Sequence, residues 1–476
     1  MPQQGSNRTQ EQGQQADSPP KRLPLISLTA NRDDSVDKDA RLVNCFVEVT
    51  QEKETWVYKR PGLLDSATGQ SASTGRGVYN WKGNIYSIFG ATLYKDGVSK
   101  GTVDTTNGVY RFSSSLGATP RLQLGNGVKA YNYDDAGGLT ADINSTDADF
   151  PAAFVKGWSF LDLTTYVMDA DANIQGSGLS DTTSWDALNT VQAQIEPDGG
   201  VALAKQLTNV VALKEWTTEV LYDAGNATGT PLGRVAGAKA NLGCISSDSV
   251  QDIDGVLVWL AAARTATPSI VMMDNLKVIP ISTEPIERLL TGLDFSEVFS
   301  WHLKLGGHKF YVLTITAANL TLAVDLTERL WSQWTDVDGN YVPIVSSTFD
   351  SSRRPVLQHE TNGKLYYASM DYVTDDGSLI QADVYTPNFD GGTRYSKYLP
   401  QMDFIADQHP GSKLLVRSTE DDYQTWNEFR EVDLSVRTPS LRNEGSFIRR
   451  AYNLRHRCNT PMRIQAVELD IQIGTL

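Results

Sequence analysis

The chain has 476 residues, of which 40% are hydrophobic and 21% charged, enough apolar material for a packed core spread over about two to four domains. Lys and Arg number 42 against 57 Asp and Glu, a formal charge of −15, which argues against a coat for nucleic acid because phosphate neutralisation needs a basic surface. It leaves open a conduit that nucleic acid passes through without being gripped. The three cysteines, Cys45, Cys244 and Cys458, are too few and too scattered for a disulfide framework and are expected to be reduced and buried. No secretory signal opens the chain, and the longest apolar run, Val256–Ala263, is far short of a membrane span. The expectation is a soluble protein made in a cytoplasm.

In chain order, residues 1–22 read as a flexible or extended arm. Met1–Pro20 is rich in Gln and nearly free of apolar side chains, so it cannot offset its own ordering entropy. Residues 23–74 form an N-terminal β segment. Leu42–Val49 and Thr55–Lys59 alternate in strand fashion, and Arg60, Pro61 and Gly62 then force a turn.

Residues 75–398 repeat one theme, strands paired around Gly, Asn or Asp turns. Units stand at Asn80–Gly97, Gly157–Asn173, Ala212–Asn226, Ile253–Asn275, Gly307–Asp336 and Asn362–Gly377. Six such units at intervals of roughly 40–60 residues are the mark of radial β repeats, since a small sheet buries both faces only by stacking on its neighbours. The fold class expected is all-β, a six-bladed β-propeller with accessory N-terminal and C-terminal β-strands; a sandwich or tandem barrels is the alternative. Two segments depart from the pattern. Ser184–Gly199 has Leu188, Val191 and Ile195 at helical spacing, with strand geometry also open. Ser282–Asp294 predicts a short helix joining two blades, capped by Thr283 with Pro285 in its first turn. Residues 399–476 hold longer alternating strands, either a small sandwich or the closure of the last blade.

Chemistry has few footholds. The five histidines, His302, His308, His359, His409 and His456, form no metal-ligand spacing, and no phosphate loop or nucleophile elbow occurs. Asp33, Asp37 and Asp39 approach a calcium loop but lack its Gly and distal Glu. Ser418–Trp426 resembles the Asp-box turn of sialidase-type propellers, but that box is itself a folding turn and brings no carboxylate pair. Trp331 and Trp334 fit inter-blade packing better than a sugar platform. No catalytic, cofactor-binding or metal residue is assigned, no cofactor is expected, and the chain is read as not an enzyme.

The order of motifs resembles the tail nozzle or tail-hub proteins of short-tailed bacteriophages, also called packaged-DNA stabilisation proteins. The resemblance rests on DKDARLVNCF and VYKRPGL, SWDALNTVQAQIEPDG followed by EVLYDAG, VIPISTEPIERLL, LAVDLTERLWSQW, RSTEDDYQTWNEFREVDL and PMRIQAVELDIQIG, collinear over most of residues 23–476. Asp104–Ala153 matches poorly. The resemblance implies a structural virion protein forming a homohexameric ring that extends the DNA channel, retains the packaged genome and allows its ejection. Its implied partners are portal-adaptor proteins, a distal tail needle or plug, tailspike or fibre proteins, and double-stranded DNA passing without sequence-specific contact. A carbohydrate-binding or glycosidase-type propeller acting in receptor recognition is the alternative.

Overall fold

A computed structural model describes residues 21–26, 40–226, 228–235 and 237–474. The arm Met1–Pro20 and the aspartates Asp33, Asp37 and Asp39 lie outside the described residues.

The chain folds as a β-propeller. Six blades are antiparallel meanders of four consecutive strands, spanning 75–102, 111–139, 159–192, 200–234, 251–280 and 298–334. A composite sheet then closes the circle. It takes Ile344–Phe349, Pro355–His359 and Leu365–Ser369 in sequence and borrows Gly62–Asp65 from the N-terminal segment as its fourth strand. The sequence unit at Asn362–Gly377 belongs to this composite. The blade at 111–139 lies in the stretch that the repeat reading passed over. Side chains tie the closure: Ser346 and Thr348 accept the Val78 and Asn80 N–H groups at 3.3 and 3.0 Å, and Ser347 accepts that of His302 at 3.0 Å.

Blades are joined by apolar layers. Trp81, Tyr86 and Tyr133 pack the first on the second, Leu161, Tyr166 and Leu203 the third on the fourth, and Leu213, Leu257 and Trp259 the fourth on the fifth. Gly157 shows how closely blades approach: its φ is +110°, and a Cβ there would lie 2.1 Å from the Leu203 carbonyl oxygen.

The two chain ends share a two-sheet sandwich. One sheet holds Cys45–Val49, Thr55–Lys59, Arg463–Ile473 and Lys397–Ala406, with shorter strands at its edges. The other runs Arg41–Val43, Ala382–Tyr385, Ala451–His456, Lys413–Thr419 and Arg430–Asp433, and continues into the sixth blade where Val43 pairs parallel with Gln333. Val47, Val57, Leu414, Leu454 and Val467 lie in the core between them.

Two local expectations meet different outcomes. The helix forms at Glu284–Leu290 between the fifth and sixth blades, with Thr283 at its N-cap; Thr283 makes no side-chain cap bond, and Ser282 Oγ instead donates to Glu287 at 2.8 Å. Ser184–Gly199 is not helical. Asp181–Gln192 is one long strand paired with Asn173–Gly178, and Leu188 is 81% exposed, so cross-strand pairing overrode local spacing. Cys45 and Cys244 are buried and Cys458 is half-buried, all three as free thiols.

Candidate functional site

Arg60, in the turn after Thr55–Lys59, sits where the sandwich, the sixth blade and the composite blade meet. Its guanidinium has five N–H groups and five acceptors. Nε donates to Asn44 Oδ1 at 2.8 Å, Nη1 to the Pro61 carbonyl and Asp375 Oδ1 at 3.1 Å each, and Nη2 to the Thr335 carbonyl at 3.0 Å and Asp375 Oδ2 at 2.5 Å. A rigid fork with every donor used fixes three elements at once. Asn44 completes the knot, donating to Thr335 Oγ1 and to the Gln381 carbonyl at 2.8 Å each. The sequence reading saw only a turn here; the buried position of a residue next to Pro61 was the missing signal.

The tryptophans lie on opposite faces of Leu330–Trp334, as an odd separation in a strand requires. Trp331, half-buried, packs toward the fifth blade and its helix, and its Nε1 donates to the Ile281 carbonyl at 3.2 Å. Trp334 is 2% exposed and packs toward the composite blade, against Trp301 at 5.8 Å and Phe310 at 5.5 Å between ring centres. Trp334 offers no open stacking face.

The histidines are structural in their contacts. Burial pushes the His302 imidazole down to about 4 and His456 down to about 3. His308 is raised, chiefly by its hydrogen bond to Asp325, which it meets at 2.5 Å beneath Phe46. Ser412 Oγ lies 3.2 Å from His456 Nε2, but both residues are sealed in the sandwich, where no substrate reaches them. Among the described residues no group of His, Cys, Asp and Glu is placed to hold a metal ion, and no helix is long and apolar enough to cross a membrane. In the Ser418–Trp426 turn, Asp421 accepts from Thr425 Oγ1 at 2.5 Å, Thr425 N at 2.9 Å and Thr419 Oγ1 at 2.7 Å, which holds its carboxyl down to about 2; Trp426 packs on Tyr385 and Tyr423.

At the propeller axis lies a cavity of about 500 Å³, lined from five blades by Tyr79, Arg111, Phe112, Trp158, Lys205 and Asp252 among others. Lys156 Nζ meets Asp248 at 2.6 Å, and Arg111 lies 3.7 Å from the same carboxylate while donating to the Ser247 carbonyl at 2.9 Å. Burial raises the Asp252 carboxyl.

The family model described as bacteriophage P22 Gp10, β-propeller, a phage stabilisation protein, matches residues 22–342. No curated protein matches the chain. Among solved structures, the extracellular domain of a putative hybrid two-component system, BT4673, from B. thetaiotaomicron is 10% identical with a TM-score of 0.41; the chain is covered over 84% and spans 58% of that protein. The computationally designed Ika8 protein is 11% identical with a TM-score of 0.34, covering 63% of this chain and 97% of its own. The N-terminal domain of Nup159 is 9% identical with a TM-score of 0.37, covering 69% and 98%. The family match spans more than half the chain and falls on the six meander blades, so the chain belongs to the phage P22 Gp10 stabilisation family of structural tail proteins of the virion.

Proposed function

We propose that this protein is the tail nozzle of a short-tailed phage: a homohexameric ring below the portal-adaptor that extends the DNA channel, retains the packaged genome and lets it leave on infection. The observation that carries this reading is the family match over residues 22–342. The acidic composition supports it, because a wall rich in Lys and Arg would hold DNA, which carries one charge per roughly 1.7 Å of duplex axis, and slow its exit. The ring of six is what the family resemblance implies, and heterologous contacts that return on themselves would close it. The subunit enters the virion from the host cytoplasm. It meets the adaptor on one side and the distal needle or plug on the other, with tailspike or fibre proteins beside it. Residues 1–22 serve as an arm onto a neighbouring subunit or the adaptor. Residues 23–74 and 399–476, without Gly62–Asp65 and with Ala382–Tyr385, act as one assembly module, and the rest of 75–398 with Gly62–Asp65 as another.

The test is to produce particles without this protein. Packaged heads that leak their DNA, with tails that regain six copies on complementation by mass measurement and imaging, are the expected result. Particles that lack it yet keep their genome and infect would overturn the reading.

A further inference from the structure

An asparagine followed by glycine can attack itself, because glycine has no side chain to keep its backbone nitrogen away from the asparagine amide. Three such pairs occur in the chain, Asn107–Gly108, Asn126–Gly127 and Asn362–Gly363. The pairs are alike in sequence and differ in their surroundings.

Two of them are locked. Asn126, in the second turn of the second blade, is 0% exposed; its Oδ1 accepts the Val128 and Lys129 N–H groups at 3.0 and 2.8 Å, and its Nδ2 donates to Asp104 at 3.0 Å. Turning this side chain onto Gly127 would break all three bonds of a buried group. Asn362, in a turn of the composite blade, has Oδ1 accepting the Lys364 N–H at 2.9 Å and Nδ2 donating to the Tyr366 hydroxyl at 2.8 Å. Gly363 beside it is buried, and a Cβ there would lie 2.4 and 2.6 Å from the Ser71 and Gln70 carbonyl oxygens, so its backbone has no room to swing.

Asn107–Gly108 lies in the link between the first and second blades and differs on each count. Asn107 is half-buried and Gly108 exposed. The pair is tied by Asn107 Nδ2, which donates to the Asn126 carbonyl at 2.7 Å, and by Arg76 Nη1, which donates to the Gly108 carbonyl at 3.0 Å. Among the described residues no hydrogen bond engages Asn107 Oδ1 or the Gly108 N–H, the groups that the attack must move. Gly108 has φ of +44°, and a Cβ there would meet only Lys156 Nζ, at 3.5 Å, so packing does not hold its backbone.

We infer that Asn107 is a site of spontaneous deamidation and the first of the three to react in the folded protein. The Gly108 nitrogen gives its proton to solvent and attacks Asn107 Cγ; the Cγ–Nδ2 bond breaks and Nδ2 leaves as ammonia. Water then opens the resulting succinimide at one carbonyl or the other, leaving aspartate or isoaspartate at position 107. One water is consumed and one ammonia released, and nothing is oxidised or reduced. The new carboxylate sets an acceptor against the Asn126 carbonyl, where Nδ2 had donated, and so unties the link from the turn it rests on. A subunit built into a virion is not replaced, so the product accumulates with the age of the particle.

The test holds the full chain at pH 8, folded or unfolded in guanidinium, in ordinary and in oxygen-18 water, and reads tryptic peptides by mass. Each pair falls on a peptide of its own, residues 101–111, 122–129 and 354–364. The expected result in the folded chain is a gain of about 1 Da at Asn107, or about 3 Da in oxygen-18 water, at least about tenfold faster than at either other pair. In the unfolded chain the three gains are expected to keep within about threefold of one another, since the lock is structural. Asn107→Gln abolishes the gain on its peptide, and Asn107→Asp melts below the parent. No gain at Asn107, a gain at Asn126 or Asn362 that keeps pace with it in the folded chain, or a gain that takes up no oxygen-18 overturns the proposal. An unchanged melting temperature for Asn107→Asp overturns the untying of the link.

Discussion

Lys214 is the most demanding buried charge in the propeller. Its side chain is 0% exposed, and its Nζ lies 2.7 Å from Asp198 Oδ1 and 2.7 Å from Glu219 Oε1, both carboxylates being 1% exposed; it also donates to the carbonyls of Ala193 at 3.1 Å and Glu196 at 2.8 Å. Lys214→Met keeps the length of the stem but leaves two buried carboxylates without their cation. Removing one partner of a buried ion pair costs about 3–5 kcal/mol. Other donors temper the loss: Asp198 accepts the Trp216 and Thr217 N–H groups at 2.9 Å each, and Glu219 Oε1 accepts that of Ile195 at 2.9 Å. The expected cost is therefore about 3 kcal/mol at pH 7, at the lower end of that range. Burial raises the Asp198 carboxyl, but the hydrogen bonds from Lys214, Trp216 and Thr217 outweigh it and hold the group below its ordinary value. A depressed carboxyl contributes stability above its unfolded pKa, and that contribution is lost as the pH falls through its folded value. In the variant the pair shares its negative charge without a cation, so one carboxyl takes up a proton as the pH falls and the penalty shrinks. Urea unfolding of both proteins at pH 7 and pH 5 checks this. A variant as stable as the parent at pH 7, or a gap that widens on acidification, would refute the reasoning.

Trp334→Ala is expected to cost about 3–5 kcal/mol and Trp331→Ala about half of that, because only the first is fully enclosed; thermal melts of the two rank them. Arg60→Lys keeps the charge but cannot reproduce five directed bonds, so it should unfasten the sandwich from the propeller, read as faster proteolysis between residues 60 and 75 with propeller strands still protected from hydrogen exchange. His308 is raised by Asp325, so its contribution is full below the unfolded value near 6.5 and is lost as the pH rises through the folded one. The melting-temperature deficit of His308→Phe should accordingly be larger at pH 5.5 than at pH 8.5, and an equal deficit at both would refute the pairing.

What the sequence made legible was periodic and local. Blades with tight Gly, Asn or Asp turns and apolar runs, such as Val256–Ala263 and Phe310–Ile315, announced themselves, as did the helix behind Thr283. The blade at 111–139 did not, because its strands are short and its first turn is a long stretch around Leu116–Pro120 with no tight two-residue turn signal. The composite blade was read only at Asn362–Gly377; its borrowed strand could not be, because the pairing of Leu64 with Tyr367 joins residues that no local window contains. Ser184–Gly199 stayed open between helix and strand for the converse reason, since its apolar spacing is helical while its fate is set by Asn173–Gly178 across the sheet. Arg60 and Lys214 read as ordinary charges in sequence; their importance is a matter of burial, which depends on elements far along the chain.

The closing strand sets a schedule on synthesis. Gly62–Asp65 leaves the ribosome early, but its partner Leu365–Ser369 follows about 300 residues later, a wait of roughly 15–60 s at about 5–20 residues per second. Until then the ring is open and the waiting strand presents unpaired backbone, a hazard for pairing with another nascent chain. The sandwich needs Arg463–Ile473 as well, so a chain that stops before it leaves the sandwich unfinished even when the propeller has closed. Translation must run past Arg463–Ile473 before the subunit can offer finished surfaces to its neighbours. A truncated copy is thereby disqualified from the particle by its own topology, without any separate proofreading step.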